Sequence, residues 1–166
     1  MISQVIGAFL AVAAAAISLE SPKKHIFATA VVGAIGWGVY LVCLETLGSV
    51  MATYISGLVI STQSHIFSRI FKVPVTIFFL PGFFPLVPGS GMYLTVYEFI
   101  QGNTDLAQGH LQNTIQIAGM IALAIFVVAF ITILFTKIDE PEQAPVDMSL
   151  VKGALKYRHF VLGIIG

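Results

Sequence analysis

The chain has 166 residues, 57% of them hydrophobic and only 10% charged, with a mean hydropathy of +0.95. No ordinary soluble domain has this balance, so the solvent for its core is lipid. A formal net charge of zero removes any reason to expect nucleic acid, and the lone Cys43 excludes an internal disulfide and argues against a cysteine-rich metal site.

A membrane-spanning helix needs roughly 20 apolar residues, and the chain offers five candidates. Alanine-rich Ile2–Leu19 is the first; it lacks the basic n-region of a signal peptide and reads as a retained span. Ile26–Leu44 is the second, Glu45-Thr46-Leu47 a tight turn, and Gly48–Phe67 the third. Val75–Ile100 is the fourth, Gln101–Gln108 a polar loop, and Gly109–Phe135 the fifth. The expected organisation is an all-α, polytopic five-span domain over 1–135. A cytoplasmic linker over 136–166 follows, with an interfacial or partner-docking helix from about Met148.

The fourth segment is the unusual one. Pro81, Pro85 and Pro88 fall within eight residues, interleaved with Gly82, Gly89 and Gly91. An interior proline removes a helical hydrogen bond and costs about 3 kcal/mol. At membrane depth the freed backbone cannot turn to water, so such a break survives only when buried in protein or lining a wet cavity. Transporters commonly build substrate sites on broken helices of this kind. Ser90 and Gly91 would open a half-helix whose free N–H groups favour a carboxylate. Carbonyls around Leu80–Phe84 would accept from an ammonium group, so a zwitterionic amino acid is met without any charged side chain. A dicarboxylate fits less well, with Arg69 as a second contact.

Charge placement sets the orientation. With the N-terminus outside and five crossings, all eight basic residues fall on one side, which the positive-inside rule makes cytoplasmic. A fourth segment that merely dipped in and returned would move the tail outside, so it is expected to cross.

Other polar positions have two readings each. Ser49, Thr53, Gly57, Ser61, Ser64 and Ser68 share one face of the third span, either a packing seam or a solute path. His65 is a proton-coupling candidate or an interfacial histidine; Arg69 and Lys72 are topology anchors or a cytoplasmic mouth. Glu98 is the acid deepest in an apolar segment, a second coupling candidate or a residue of the outer interface. Tyr93 and Tyr97 are an aromatic belt or pathway walls, and Asn113 and Gln116 line a wet cavity or an ordinary helix entrance. No nucleophile–base pair, metal spacing or nucleotide loop appears, so nothing asks for an enzyme, a metal or a cofactor.

The stretch His65-x-x-x-Arg69-x-x-Lys72-x-Pro74, followed by Pro81-Gly82-x-x-Pro85-Leu86-Val87-Pro88-Gly89-Ser90-Gly91-x-Tyr93, resembles the membrane half of the threonine/serine exporter family. The likeness covers about Ile2–Phe135. It implies efflux of small amino acids, and in some members of succinate-like dicarboxylates, from the bacterial cytoplasm. It also implies a second membrane subunit carrying the other half, which makes this chain the small subunit of a split exporter. The expected substrate site is Pro81, Gly82, Pro85, Pro88, Gly89, Ser90, Gly91, Tyr93, Asn113 and Gln116, with transport driven by protons. A homo-oligomeric channel and a structural membrane subunit are the competing readings.

Overall fold

The computed structural model describes residues 1–139, with side chains through residue 134. Five α-helices follow in order: α1 (Ile2–Ser18), α2 (Ile26–Phe71), α3 (Thr76–Phe83), α4 (Gly89–Ile100) and α5 (Thr104–Asp139). Short 3-10 turns at Lys23–His25 and Phe84–Leu86 join α1 to α2 and extend α3. The chain divides into two compact units, Met1–Thr132 and Ile133–Gly166, and the helix packing lies within the first. The expected interfacial helix from Met148 lies outside the described residues. By length and composition α2 and α5 can each cross a membrane, and α3 with α4 makes a third candidate if the bent pair is one span.

α2 has 46 residues, about 69 Å if straight, more than twice a hydrocarbon core of about 30 Å. It is not straight. Gly48 stands at φ 75°, ψ 170°, a conformation that side-chain-bearing residues avoid, and the helix folds back there. Ser56 Oγ donates to the Gly36 carbonyl at 2.6 Å, and a side chain at Gly36 would run into Ile60. These contacts pair positions on either side of Gly48 and define a helical hairpin. The turn therefore sits at Gly48; Glu45, Thr46 and Leu47 are still helical.

Small residues let the other helices approach this hairpin. Gly33 receives Val12 of α1, Gly82 of α3 lies against Ile60 and Val32, and Gly57 faces Ala124 of α5 and Phe83. Without water to drive them together, membrane helices depend on such close contact. The core is Val32, Ile60, Phe83 and Leu86, flanked by Trp37, Tyr40, Phe67, Phe79, Ile121 and Ile125. The hydroxylated face of the second arm is thus largely a packing seam: Thr53, Ser56, Ser61 and Ser64 are buried, the last two with hydroxyls that meet no partner among the described residues.

The proline stretch is less disrupted than the sequence suggests. Pro81 lies inside α3, Pro85 is the middle residue of the 3-10 turn, and only Val87 (ψ 126°) and Pro88 (ψ 52°) leave helical geometry. Each proline orphans the carbonyl four residues earlier, and each orphan has a neighbour that can serve it. The Ile77 carbonyl lies 3.5 Å from Thr29 Oγ1, the Pro81 carbonyl accepts the Phe84 N–H, and the Phe84 carbonyl accepts the Val87 N–H at 3.4 Å. α3 and α4 meet at 43°. With the 3-10 turn they provide roughly 36 Å of helix, enough to span a core of about 30 Å.

α4 ends with Gly102 at φ 81°. The Asn103 N–H returns to the Glu98 carbonyl at 2.9 Å and the Gly102 N–H to Phe99 at 3.2 Å, which is a Schellman closure. α5 then starts at Thr104, so the polar loop shrinks from Gln101–Gln108 to Gln101–Asn103.

Candidate functional site

The break opens onto a cavity of about 260 Å³. Its walls come from four places. The first arm of α2 supplies Trp37 and Tyr40, and the second arm supplies Ser49 and Thr53 from just beyond the Gly48 turn. The break and the first turns of α4 contribute Pro85, Leu86, Val87, Pro88, Ser90, Gly91 and Leu94; α5 contributes His110, Asn113, Thr114 and Ile117. The wall at Gly91 is tight, because a Cβ there would strike Thr114 Oγ1. Trp37 and Tyr40 stack with centroids 4.9 Å apart, making one side flat and apolar.

Polar groups in the cavity are uncharged side chains and one histidine; Asp, Glu, Lys and Arg do not contribute to its lining. Two hydroxyls are turned toward their own helices, Thr53 Oγ1 donating to the Ser49 carbonyl and Thr114 Oγ1 to the His110 carbonyl, each at 2.7 Å. Their lone pairs can still accept. α4 begins at Gly89 behind Pro88, and no side chain caps it. The Gly89 N–H turns back to the Val87 carbonyl at 2.7 Å. The following N–H groups carry the positive end of the helix dipole, suited to an anionic oxygen.

Of the residues expected at the site, Pro85, Pro88, Ser90, Gly91 and Asn113 line this cavity. Pro81 and Gly82 are buried in the packing of α3. Gly89 has no positive φ and open space where a side chain would stand, so neither close approach nor strain requires glycine there. Tyr93 is 66% exposed and stacks on Tyr97, away from the cavity. Gln116 lies in a separate shallow groove with Gln108 and Gln112 on α5.

The two coupling candidates are not brought to the cavity either. Glu98 closes the end of α4, its Oε2 accepting from Asn103 Nδ2 at 2.8 Å. His65 lies twelve residues beyond Thr53 on α2, about 18 Å along the axis. Arg69 and Lys72 are farther still, with Lys72 in left-handed conformation at the end of α2.

Trp37, Tyr40, His110 and Thr114 join the site without being expected from the sequence. One signal for them is present there: His110, Asn113 and Thr114 stand at i, i+3 and i+4, which puts them on one helix face.

At the opposite end of the hairpin, His25 is packed among Phe71, Phe78 and Phe67. Its ring centroid lies 5.1 Å from Phe71 and 5.8 Å from Phe78, and Phe67 is 5.8 Å from Phe78. Both His25 ring nitrogens are buried without a hydrogen-bond partner among the described residues.

Comparison with curated proteins and with solved structures gave no match. The family model described as Threonine/Serine exporter, ThrE matches residues 4–131, which takes in nearly all of α1, the whole of α2 to α4, the cavity and most of α5. An apolar all-α chain that breaks a helix over a polar, uncharged cavity and matches that model over most of its length belongs to the threonine/serine exporter family, a family of transporters and not of enzymes.

Proposed function

We propose that the chain is a subunit of a secondary exporter of small amino acids across the bacterial inner membrane, and that the cavity at the α3–α4 break holds the substrate. The observation that carries this reading is the lining itself. It supplies a helix N-terminus for a carboxylate and hydroxyl and amide acceptors for an ammonium, but no side chain of fixed charge. A ligand of zero net charge suits such walls, because an uncompensated ion in a low-dielectric site is costly. A dicarboxylate is disfavoured on the same ground, since Arg69, its expected second contact, does not line the cavity.

In this reading α1, the two arms of α2, the α3–α4 pair and α5 make five crossings. The N-terminus is outside and the basic residues lie in the cytoplasm, as the positive-inside rule requires. The cavity then occupies the outer half of the membrane, near Gly48 and the start of α5. A second membrane subunit covers the remaining wall; α4 has no buried residue within this chain, as expected of a helix that awaits a partner.

Export of labelled threonine and serine from preloaded cells tests the reading. Ser90→Phe should fill the cavity from its exposed lip and reduce export at least tenfold with normal accumulation in the membrane. Undiminished export by that variant would remove the cavity from the pathway. A reporter fused after Gly166 should be active only in its cytoplasmic form, and periplasmic activity would overturn the five-crossing topology.

A further inference from the structure

An exporter that exchanges protons for an amino acid needs a group that holds the substrate in one protonation state and releases it in the other. We infer that His110 is that group, an inference that rests on the cavity being the substrate site. The neutral imidazole accepts a hydrogen bond from the substrate ammonium, and a proton arriving from the outer side takes the same lone pair and expels the amino acid. One proton is gained by the ring nitrogen; the ammonium leaves with its own protons intact.

Four observations lead to His110. First, it lines the cavity, one turn of α5 from Asn113 and on the same face. Second, the cavity offers little else that titrates. The facing elements present Trp37, Tyr40, Ser49 and Thr53 from α2 and Ser90 from α4; Asn113 and Thr114 lie beside His110 on α5. Tyrosine titrates near pH 10, far from the range between about pH 5 and pH 8 in which a histidine changes charge. Third, the His110 ring makes no hydrogen bond or ion pair among the described residues, while its own carbonyl is occupied by Thr114 Oγ1. The ring is therefore uncommitted, whereas Glu98 is bonded to Asn103. Fourth, the other described histidines are elsewhere: His25 is enclosed by phenylalanines, and His65 is about 18 Å along α2 from Thr53.

In this assignment the ligand has two anchors in the cavity wall: the N-terminus of α4 takes the carboxylate, and His110, one turn of α5 before the Thr114 that packs against Gly91, takes the ammonium. In its neutral form imidazole presents one acceptor nitrogen; protonated, both nitrogens are donors, so the hydrogen bond is lost and a like charge appears beside the ammonium. Proton binding and substrate binding are then mutually exclusive, the condition for exchange in opposite directions.

The test is binding of labelled threonine to native membranes containing the full chain, measured at about pH 8 and pH 5.5. Wild type should bind roughly tenfold or more weakly at the acid pH. H110Q, fixed without charge, should lose that pH dependence, and H110K, fixed with charge, should bind as poorly at pH 8 as wild type does at pH 5.5. A merely structural role would move both variants in the same direction. Full pH dependence in H110Q, with binding abolished by Ser90→Phe, would overturn the assignment of His110 and leave the cavity reading standing. Unchanged threonine binding by Ser90→Phe, or no binding by wild type at either pH, would overturn the cavity reading itself.

Discussion

At one end of the α2 hairpin, His25 is 4% exposed and pressed between Phe71 and Phe78. At the other, His110 stands in an open cavity among Ser49, Thr53, Ser90, Asn113 and Thr114. The two ends are made of the same materials, a histidine, aromatic rings and turn residues, yet one is closed and apolar and the other polar and open. The difference comes from the backbone. At the His25 end, α2 and α3 are joined by a short turn and the phenylalanines of both fill the space. At the His110 end, Val87 and Pro88 turn the α3–α4 segment through 43° and leave a gap that side chains do not fill. Residue type alone therefore says little about role in this membrane; what surrounds the residue decides it.

The contrast breaks most sharply at the glycines of the break. Gly91→Leu drives a side chain into Thr114 and should lower threonine export at least tenfold, measured at equal membrane abundance. Gly89→Ala, two residues earlier in open space, should stay within about twofold of wild type. Equal effects at the two positions would mean that the break acts through general flexibility and not through the cavity wall.

The hairpin that brings the two ends into register can be loosened on its own. Gly36→Val meets Ile60, and overpacking of this kind costs about 1–3 kcal/mol. Ser56→Ala removes a single bond to the Gly36 carbonyl, worth about 0.6 kcal/mol between membrane helices. Thermal unfolding in detergent should therefore rank Gly36→Val below Ser56→Ala, and Ser56→Ala just below wild type.

The closed end should tolerate what the open end does not. His25→Phe replaces a ring whose nitrogens have no partner among the described residues with one that matches its neighbours, so stability should be unchanged or rise by about 1 kcal/mol. Export should persist. A large loss of export in a stable His25→Phe protein would show that the closed end takes part in transport.

The smallest effect is expected at Glu98. Glutamine retains an acceptor for Asn103 Nδ2, so Glu98→Gln should leave uphill export close to wild type. Selective loss of uphill export with exchange intact would restore Glu98 as the coupling group in place of His110.

How much of this is legible in the sequence depends on whether the cause is local. Prolines act on their own backbone, so the break at Val87–Pro88 can be read directly, although Pro81 fits inside α3 because the carbonyl it orphans has Thr29 beside it. Residue pattern puts the turn of the hairpin at Glu45, Thr46 and Leu47, which separate two apolar runs. The true signal is the neighbouring Gly48, the one residue there that accepts φ 75°. The cavity walls are harder. Trp37, Tyr40, Thr53 and His110 come from distant parts of the chain, and periodicity shows which residues share a face but not which faces meet. Glu98 reads equally well as a coupling group or an interfacial one, and its bond to Asn103 at the end of α4 becomes visible only with the Schellman turn.

Substrate occupancy of the cavity at the break can be read by thiol labelling of Ser90→Cys in a Cys43→Ser background, with and without threonine. If threonine sits there, the introduced thiol reacts with a small polar maleimide and threonine slows the reaction several-fold. A control cysteine at Val12, fully buried between α1 and α2, does not react. Labelling at position 90 that threonine leaves unchanged, with export intact after modification, would place the substrate elsewhere.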